Sequence, residues 1–147
     1  MSVLSDSFGI ASIAITESVA DRTNAISLAG ELLVASGKVT PEYIDSMLEA
    51  VEKFGPYIVI APGIALAHGK PGDSVIKTGL SLLVIQQAIE FQHLQNDPVQ
   101  LVFGLAATDH ESHISVMAEL AEFLSDPDKV KSLLTCSESE QIRDLLR

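Results

Sequence analysis

Cysteine is almost absent from this chain, and cations are scarce. The single thiol, Cys136, cannot form an internal disulfide, so nothing in the cysteine count asks for an oxidising compartment. Nine Lys and Arg stand against 20 Asp and Glu, giving a net charge of −11, and the nine are scattered from Arg22 to Arg147. Nucleic-acid binding needs clustered cations to displace counterions, and no cluster exists. No apolar run reaches the ~20 residues of a membrane helix. The start, MSVLSDSFGI, lacks the positive segment and long apolar core of a secretory signal, so a cytoplasmic protein with no direct membrane insertion is expected. Gly-rich phosphate loops, a Gly-x-Ser-x-Gly elbow and a Rossmann fingerprint are missing as well, and no cofactor is expected.

What is present fits one domain of 147 residues, 47% hydrophobic and 20% charged. Ser12–Thr16 alternates as a short strand. Ala25, Leu28, Ala29, Leu32 and Leu33 recur at helical spacing until Gly37, which supplies a stop. Thr40-Pro41-Glu42 reads as a cap with proline in the first turn, and Ile44, Met47, Leu48 and Val51 as the buried face of the helix that follows. Glu42, Asp45, Glu49 and Glu52 then form a solvated face, and Gly55-Pro56 ends the helix. Lys77–Ile85 predicts a strand, and the near-continuous apolar run Val99–Ala107 predicts one buried on both faces. Thr108-Asp109-His110-Glu111 predicts a capping box, with Ile114, Met117, Ala121 and Leu124 on one face of the helix behind it. Asp126-Pro127 starts a short helix through Leu134, and Ser137-Glu138-Ser139-Glu140 repeats the box ahead of the last one. The class implied is α/β or α+β, a sandwich with helices covering a sheet, whose strand order this pattern does not specify.

The stretch Gly55–Lys77 departs from the rest. Two short apolar runs, Tyr57–Ile60 and Ile64–Ala67, surround Pro62-Gly63, and the second delivers His68 to a loop opened by Gly69-Lys70-Pro71-Gly72. Ala67 and Gly69 leave room around that imidazole. Lys70 and Lys77 follow closely in a chain with only six lysines.

Three further histidines compete for a role. His93 lies in a polar stretch and reads as a surface residue. His110 and His113 fall in the first turn of a helix, where free amides and the macrodipole favour anions. His113, three and four residues before Val116 and Met117, turns toward the protein body, whereas His110 stays near the exposed cap. A strand-end loop and a helix start commonly share one end of a sheet, which favours a His68–His113 pair. His110-x-x-His113 lacks the i,i+4 spacing of a metalloprotease helix, so no metal is assigned. Cys136 sits between two helices and reads as a small structural residue. An exposed imidazole with donors nearby suits phosphoryl transfer from an activated donor, without metal or nucleotide.

Ala61-Pro-Gly-Ile-Ala-Leu-Ala-His68-Gly-Lys70 resembles the active-site segment of the enzyme IIA components of the bacterial phosphoenolpyruvate-dependent sugar phosphotransferase system, mannitol and fructose class. The longer run Gly55–His68 is most similar to the ascorbate branch, and length and element order are similar over nearly the whole chain. The resemblance implies a single IIA domain over residues 1–147, a mixed sheet of about five strands flanked by helices. It implies that His68 accepts phosphate from the phosphocarrier HPr and passes it to a cysteine of enzyme IIB, and through it serves the membrane enzyme IIC. His113, in Glu111-Ser112-His113, would hydrogen-bond His68 or its phosphate. Two positions depart from the family pattern: Ala67 stands where many members have proline, and only Lys53 stands near the mannitol-type arginine, leaving Lys70 or Lys77 as substitutes. The expected role is a phosphotransferase subunit in sugar uptake, for L-ascorbate. The alternative is a regulatory module that binds partners according to phosphorylation state. A homodimer stays open, with no interface stripe apart from the core faces.

Overall fold

Alternation along β strands and periodicity along helices build two apolar layers around one sheet. The computed structural model describes residues 6–146. After a 3-10 turn, Ile10–Ser12, come β1 (Ile13–Thr16), α1 (Arg22–Ala35), α2 (Glu42–Phe54), β2 (Val59–Ala61), β3 (Ile64–His68), β4 (Gly79–Ile89) and β5 (Val99–Ala106). Three helices close the chain: α3 (His110–Leu124), α4 (Pro127–Thr135) and α5 (Ser139–Leu145). The strands form one five-stranded sheet in the order β1-β4-β5-β3-β2. β1 runs parallel to β4 and β3 parallel to β5, while β4–β5 and β2–β3 are antiparallel, so the sheet is mixed as expected.

Successive residues of the central strands face opposite layers. Ala65, Ala67, Val102 and Ala106 join Ala29, Leu33, Tyr43 and Met47 beneath α1 and α2. Ile64, Leu66, Leu101, Phe103 and Leu105 join Val116, Leu120 and Phe123 beneath α3. β5 is thus buried on both faces along nearly its whole length, as its sequence predicts. Ser81, fully buried on the neighbouring β4, donates to the Ala29 carbonyl at 2.8 Å and so needs no water.

Several boundaries and faces differ from the sequence reading. β4 begins at Gly79, because the Ile76 and Lys77 amides donate to the Lys38 carbonyl and tie that segment to the residues just past α1 instead of to the sheet. It continues through polar Gln86 and Gln87 to Ile89, which pairs with Val99. α2 buries Tyr43, Met47 and Val51, with Ile44 and Leu48 only flanking them. Pro41 already has helical dihedrals (φ −56°, ψ −26°), and no side chain caps that helix. α3 turns Val116, Leu120 and Phe123 inward; Ile114 is 53% exposed, and the predicted face was rotated. In α5 it is Gln141, not Glu140, that reaches back, its Oε1 accepting from the Ser137 and Glu138 amides. Among the described residues no helix is long and apolar enough to cross a membrane.

Candidate active site

His68 is the last residue of β3 and belongs to the same face as Ile64 and Leu66, so its ring projects toward the α3 layer. Its Nδ1 lies 3.4 Å from the Leu66 carbonyl oxygen. A carbonyl only accepts, so Nδ1 holds the proton of that contact and Nε2 keeps its lone pair. The half-buried ring is framed on both sides. Tyr57 meets it edge-on at 5.9 Å between centroids (88°), backed by Phe54 at 6.0 Å. His113 lies at 6.1 Å on another side, tilted by 55°. Burial pushes the His68 pKa below its usual 6.5, the charge of His113 pushes the same way, and the Leu66 carbonyl opposes both. At neutral pH the imidazole is therefore neutral and nucleophilic.

The loop beyond His68 is pinned by α2. The Gly69 amide donates to the Tyr43 hydroxyl at 2.9 Å, that hydroxyl donates to the Leu105 carbonyl at 2.7 Å, and the Lys70 amide donates to Ser46 Oγ at 2.7 Å. A Cβ on Gly69 would stand 2.7 Å from Ser46 Oγ and 3.1 Å from the Met47 nitrogen. Glycine follows the histidine because a helix passes too close for anything larger.

The start of α3 forms the facing wall. Its cap is Asp109, whose Oδ1 accepts from the Ser112 amide at 2.7 Å, and not Thr108 bonded to Glu111 as the sequence suggested. Thr108 instead receives no amide: its own N–H donates to Thr78 Oγ1 at 3.0 Å, tying the helix start to the residue before β4. A carboxylate thus already sits at the helix N-terminus, where an incoming phosphate was expected to find free amides, and the Ser112 amide is used. His113, one turn into the same helix, is the side chain of this wall whose ring meets that of His68.

His68 separates two clefts. One is lined by Tyr43, His68, Gly69, Pro71, Leu105, Thr108, Asp109, His110 and His113. The other is lined by Ser46, Glu49, Glu52, Lys53, Phe54, Tyr57, His68 and Lys70. The pairing of His68 with His113 is as predicted, with His110 at the rim. Lys70 and Lys53 share the second cleft with His68. Lys77 lines neither and lies near Lys38, whose ammonium is pushed below the usual lysine range by burial and then by Lys77. His93 is not a bystander on the surface: its Nδ1 accepts from the Gln95 and Asn96 amides at 3.3 and 3.1 Å and shapes the loop before β5. Cys136 donates Sγ–H to the Ser132 carbonyl at 3.2 Å, and burial pushes its thiol up. Among the described residues no three His, Cys, Asp or Glu side chains gather as metal ligands would. Tyr43, Ser46 and Tyr57 escaped the sequence reading. Tyr43 carries the one signal that could have found it, a phenol on an otherwise apolar helix face, which when buried needs a partner.

Comparison with known proteins identifies the family and the fold. Residues 7–147 match the family model for the phosphoenolpyruvate-dependent sugar phosphotransferase system, EIIA 2. The ascorbate-specific PTS system EIIA component of Escherichia coli (strain K12) is 38% identical over 123 residues, 83% of this chain and 80% of that protein. The solution structure of the mannitol-specific cryptic phosphotransferase enzyme IIA CmtB from Escherichia coli superposes with a TM-score of 0.87 at 33% identity, over 97% of each chain. A complex of mannitol enzyme IIA with phosphorylated enzyme IIB from the same organism matches at 0.83 and 32% identity, over 95% of this chain and 96% of that one.

Proposed function

The chain belongs to the EIIA 2 family of the phosphoenolpyruvate-dependent sugar phosphotransferase system, and from that premise we propose that it carries phosphate on His68 from phosphorylated HPr to a cysteine of enzyme IIB. Family membership makes it a phosphotransferase component. The observation that carries the residue assignment is the half-buried imidazole of His68, its Nδ1 turned to the Leu66 carbonyl and its ring 6.1 Å from that of His113 in an open cleft.

In the first half-reaction Nε2 attacks the phosphorus of the donor phosphohistidine; the new N–P bond forms as the old one breaks, and the donor imidazole leaves with the electron pair. The Nδ1 proton stays on Nδ1 throughout, donated to the Leu66 carbonyl. In the second, a IIB thiolate attacks the same phosphorus and His68 leaves through Nε2. His113 donates to the phosphoryl oxygens in both, and Lys70, which lines one cleft with His68, supplies positive charge. No nucleotide or metal is required by this route. The whole of 1–147 acts as one cytoplasmic IIA unit, with enzyme IIC reached through IIB.

The sugar is L-ascorbate in this reading, supported by the 38% identity to the ascorbate-specific component. Offering phosphorylated HPr to wild type and His68→Ala tests the central step: label on wild type alone is expected, and equal labelling of both overturns it. Mixing the phosphorylated protein with ascorbate-type and mannitol-type IIB proteins tests the sugar, because the cognate IIB drains the label faster. A protein that keeps its label against every IIB would be a regulator instead.

A further inference from the structure

We infer that Tyr43 is a positioning residue for this transfer: its hydroxyl makes the final link between the ends of β3 and β5 and thereby fixes the peptide that carries the His68 ring. The inference rests on His68 being the residue phosphorylated.

His68 and Leu105 are the last register pair between these parallel strands. Just past that pair the strands are not joined directly. The Gly69 N–H donates to the phenol oxygen at 2.9 Å, and the phenol O–H donates to the Leu105 carbonyl at 2.7 Å. A direct rung would hold nitrogen and oxygen within about 3 Å. With an oxygen inserted, the two backbones part at the point where the imidazole emerges, yet both orphan groups are satisfied.

The insertion comes from the opposite layer. Tyr43 lies on α2, is 1% exposed and packs among the residues beneath α1 and α2, while the His68 ring faces α3. The catalytic ring is therefore presented by one layer, and its backbone is held by the other. Leu105 lies just before Thr108 and Asp109, which start the helix bearing His113, so the same hydroxyl ties the His68 turn to the strand that leads to its partner. Both hydrogen-bonding roles of the phenol are occupied by backbone, which leaves it no direct part in binding phosphate.

A buried tyrosine that merely fills space predicts something different. Removing the oxygen while keeping the ring would then cost stability and leave His68 unchanged. Under the positioning role, Tyr43→Phe leaves the Gly69 N–H unpaired and lets the 68–69 peptide turn, so the ring leaves its aligned attack geometry. The full-length variant should show kcat for acceptance from phosphorylated HPr reduced by about 10- to 100-fold. KM for HPr should stay within about twofold, because a buried side chain does not touch the donor. The imidazole 15N shifts of His68 should move relative to wild type at equal pH. A Tyr43→Phe protein with wild-type kcat and wild-type His68 shifts would overturn the inference. If that variant does not fold, amide exchange on the wild type decides: Gly69 should be protected by about 100-fold over the loop residue Gly72, and an unprotected Gly69 overturns it. A wild type that accepts no label from phosphorylated HPr defeats the functional reading, and the imidazole shifts and amide exchange still report separately whether Tyr43 sets the ring.

Discussion

The rings of His68 and His113 stand 6.1 Å apart and tilted by 55°, one at the end of a strand and the other one turn into the helix that covers it. A proton on His113 makes one on His68 less favourable. A phosphoryl group on His68 would bring negative charge to this neighbour, which a hydrogen bond donated by His113 stabilises.

Loss of His113 should therefore be felt in transfer more than in acceptance at equilibrium. For His113→Ala we expect exchange with IIB slowed on the order of 100-fold, the usual effect of removing one charge-stabilising donor, while His68 still reaches full labelling. Rapid-quench kinetics with labelled phosphate check this. Unchanged rates in both directions would remove His113 from the mechanism.

The depressed pKa of His68 predicts a pH profile. Only the neutral ring offers Nε2, so the acceptance rate should be flat above about pH 6.5 and fall as pH drops through the folded-state pKa, which lies below that value. The stability contribution carries the same sign. Between the two pKa values the unfolded chain binds more protons, so stability from this group is full above about 6.5 and declines as pH falls through the window below it. Denaturant titrations of wild type and His68→Gln across that range should differ in slope.

Gly69→Ala should damage both fold and function. The added methyl meets Ser46 and the α2 backbone, an overpacking that costs about 1–3 kcal/mol, measurable by urea unfolding. The double variant Gly69→Ala with Ser46→Gly relieves the nearest contact and should recover part of the loss.

Capping gives a sharper discrimination. Asp109→Ala removes the acceptor of the Ser112 amide and should lower the melting temperature by about 2–4 °C at pH 7. Thr108→Ala leaves that cap intact and should shift it less. Hydrogen bonds from Ser112 hold the Asp109 carboxyl below the usual carboxylate range, so the difference between the two variants should vanish only at strongly acid pH.

Much of this was legible in the chain. Apolar runs located β3 and β5 because both are buried on two faces, and Gly and Pro marked the loop that bears His68. Helix faces were read less well. Ile114 looked like a core residue but faces solvent at 53% exposure, because one face of α3 suffices to cover the sheet and Val116, Leu120 and Phe123 fill it. The cap at Asp109 was missed by one residue, since Thr108 has a competing partner, Thr78, thirty positions away in the residue before β4. Tyr43 could not be assigned its partners at all. Both are backbone groups, brought to it by strand order, which periodicity does not encode.

Ile64 and Leu66 point to the layer that holds His113, Ala65 and Ala67 away from it, and His68 inherits the even side. The imidazole's address is thus a matter of parity. Adding or deleting a single residue between Ile64 and His68 would swing the ring into the layer of α1 and α2, with every side chain conserved and the carrier mute. Any change of length that leaves the carrier working must come in pairs, or fall outside this strand.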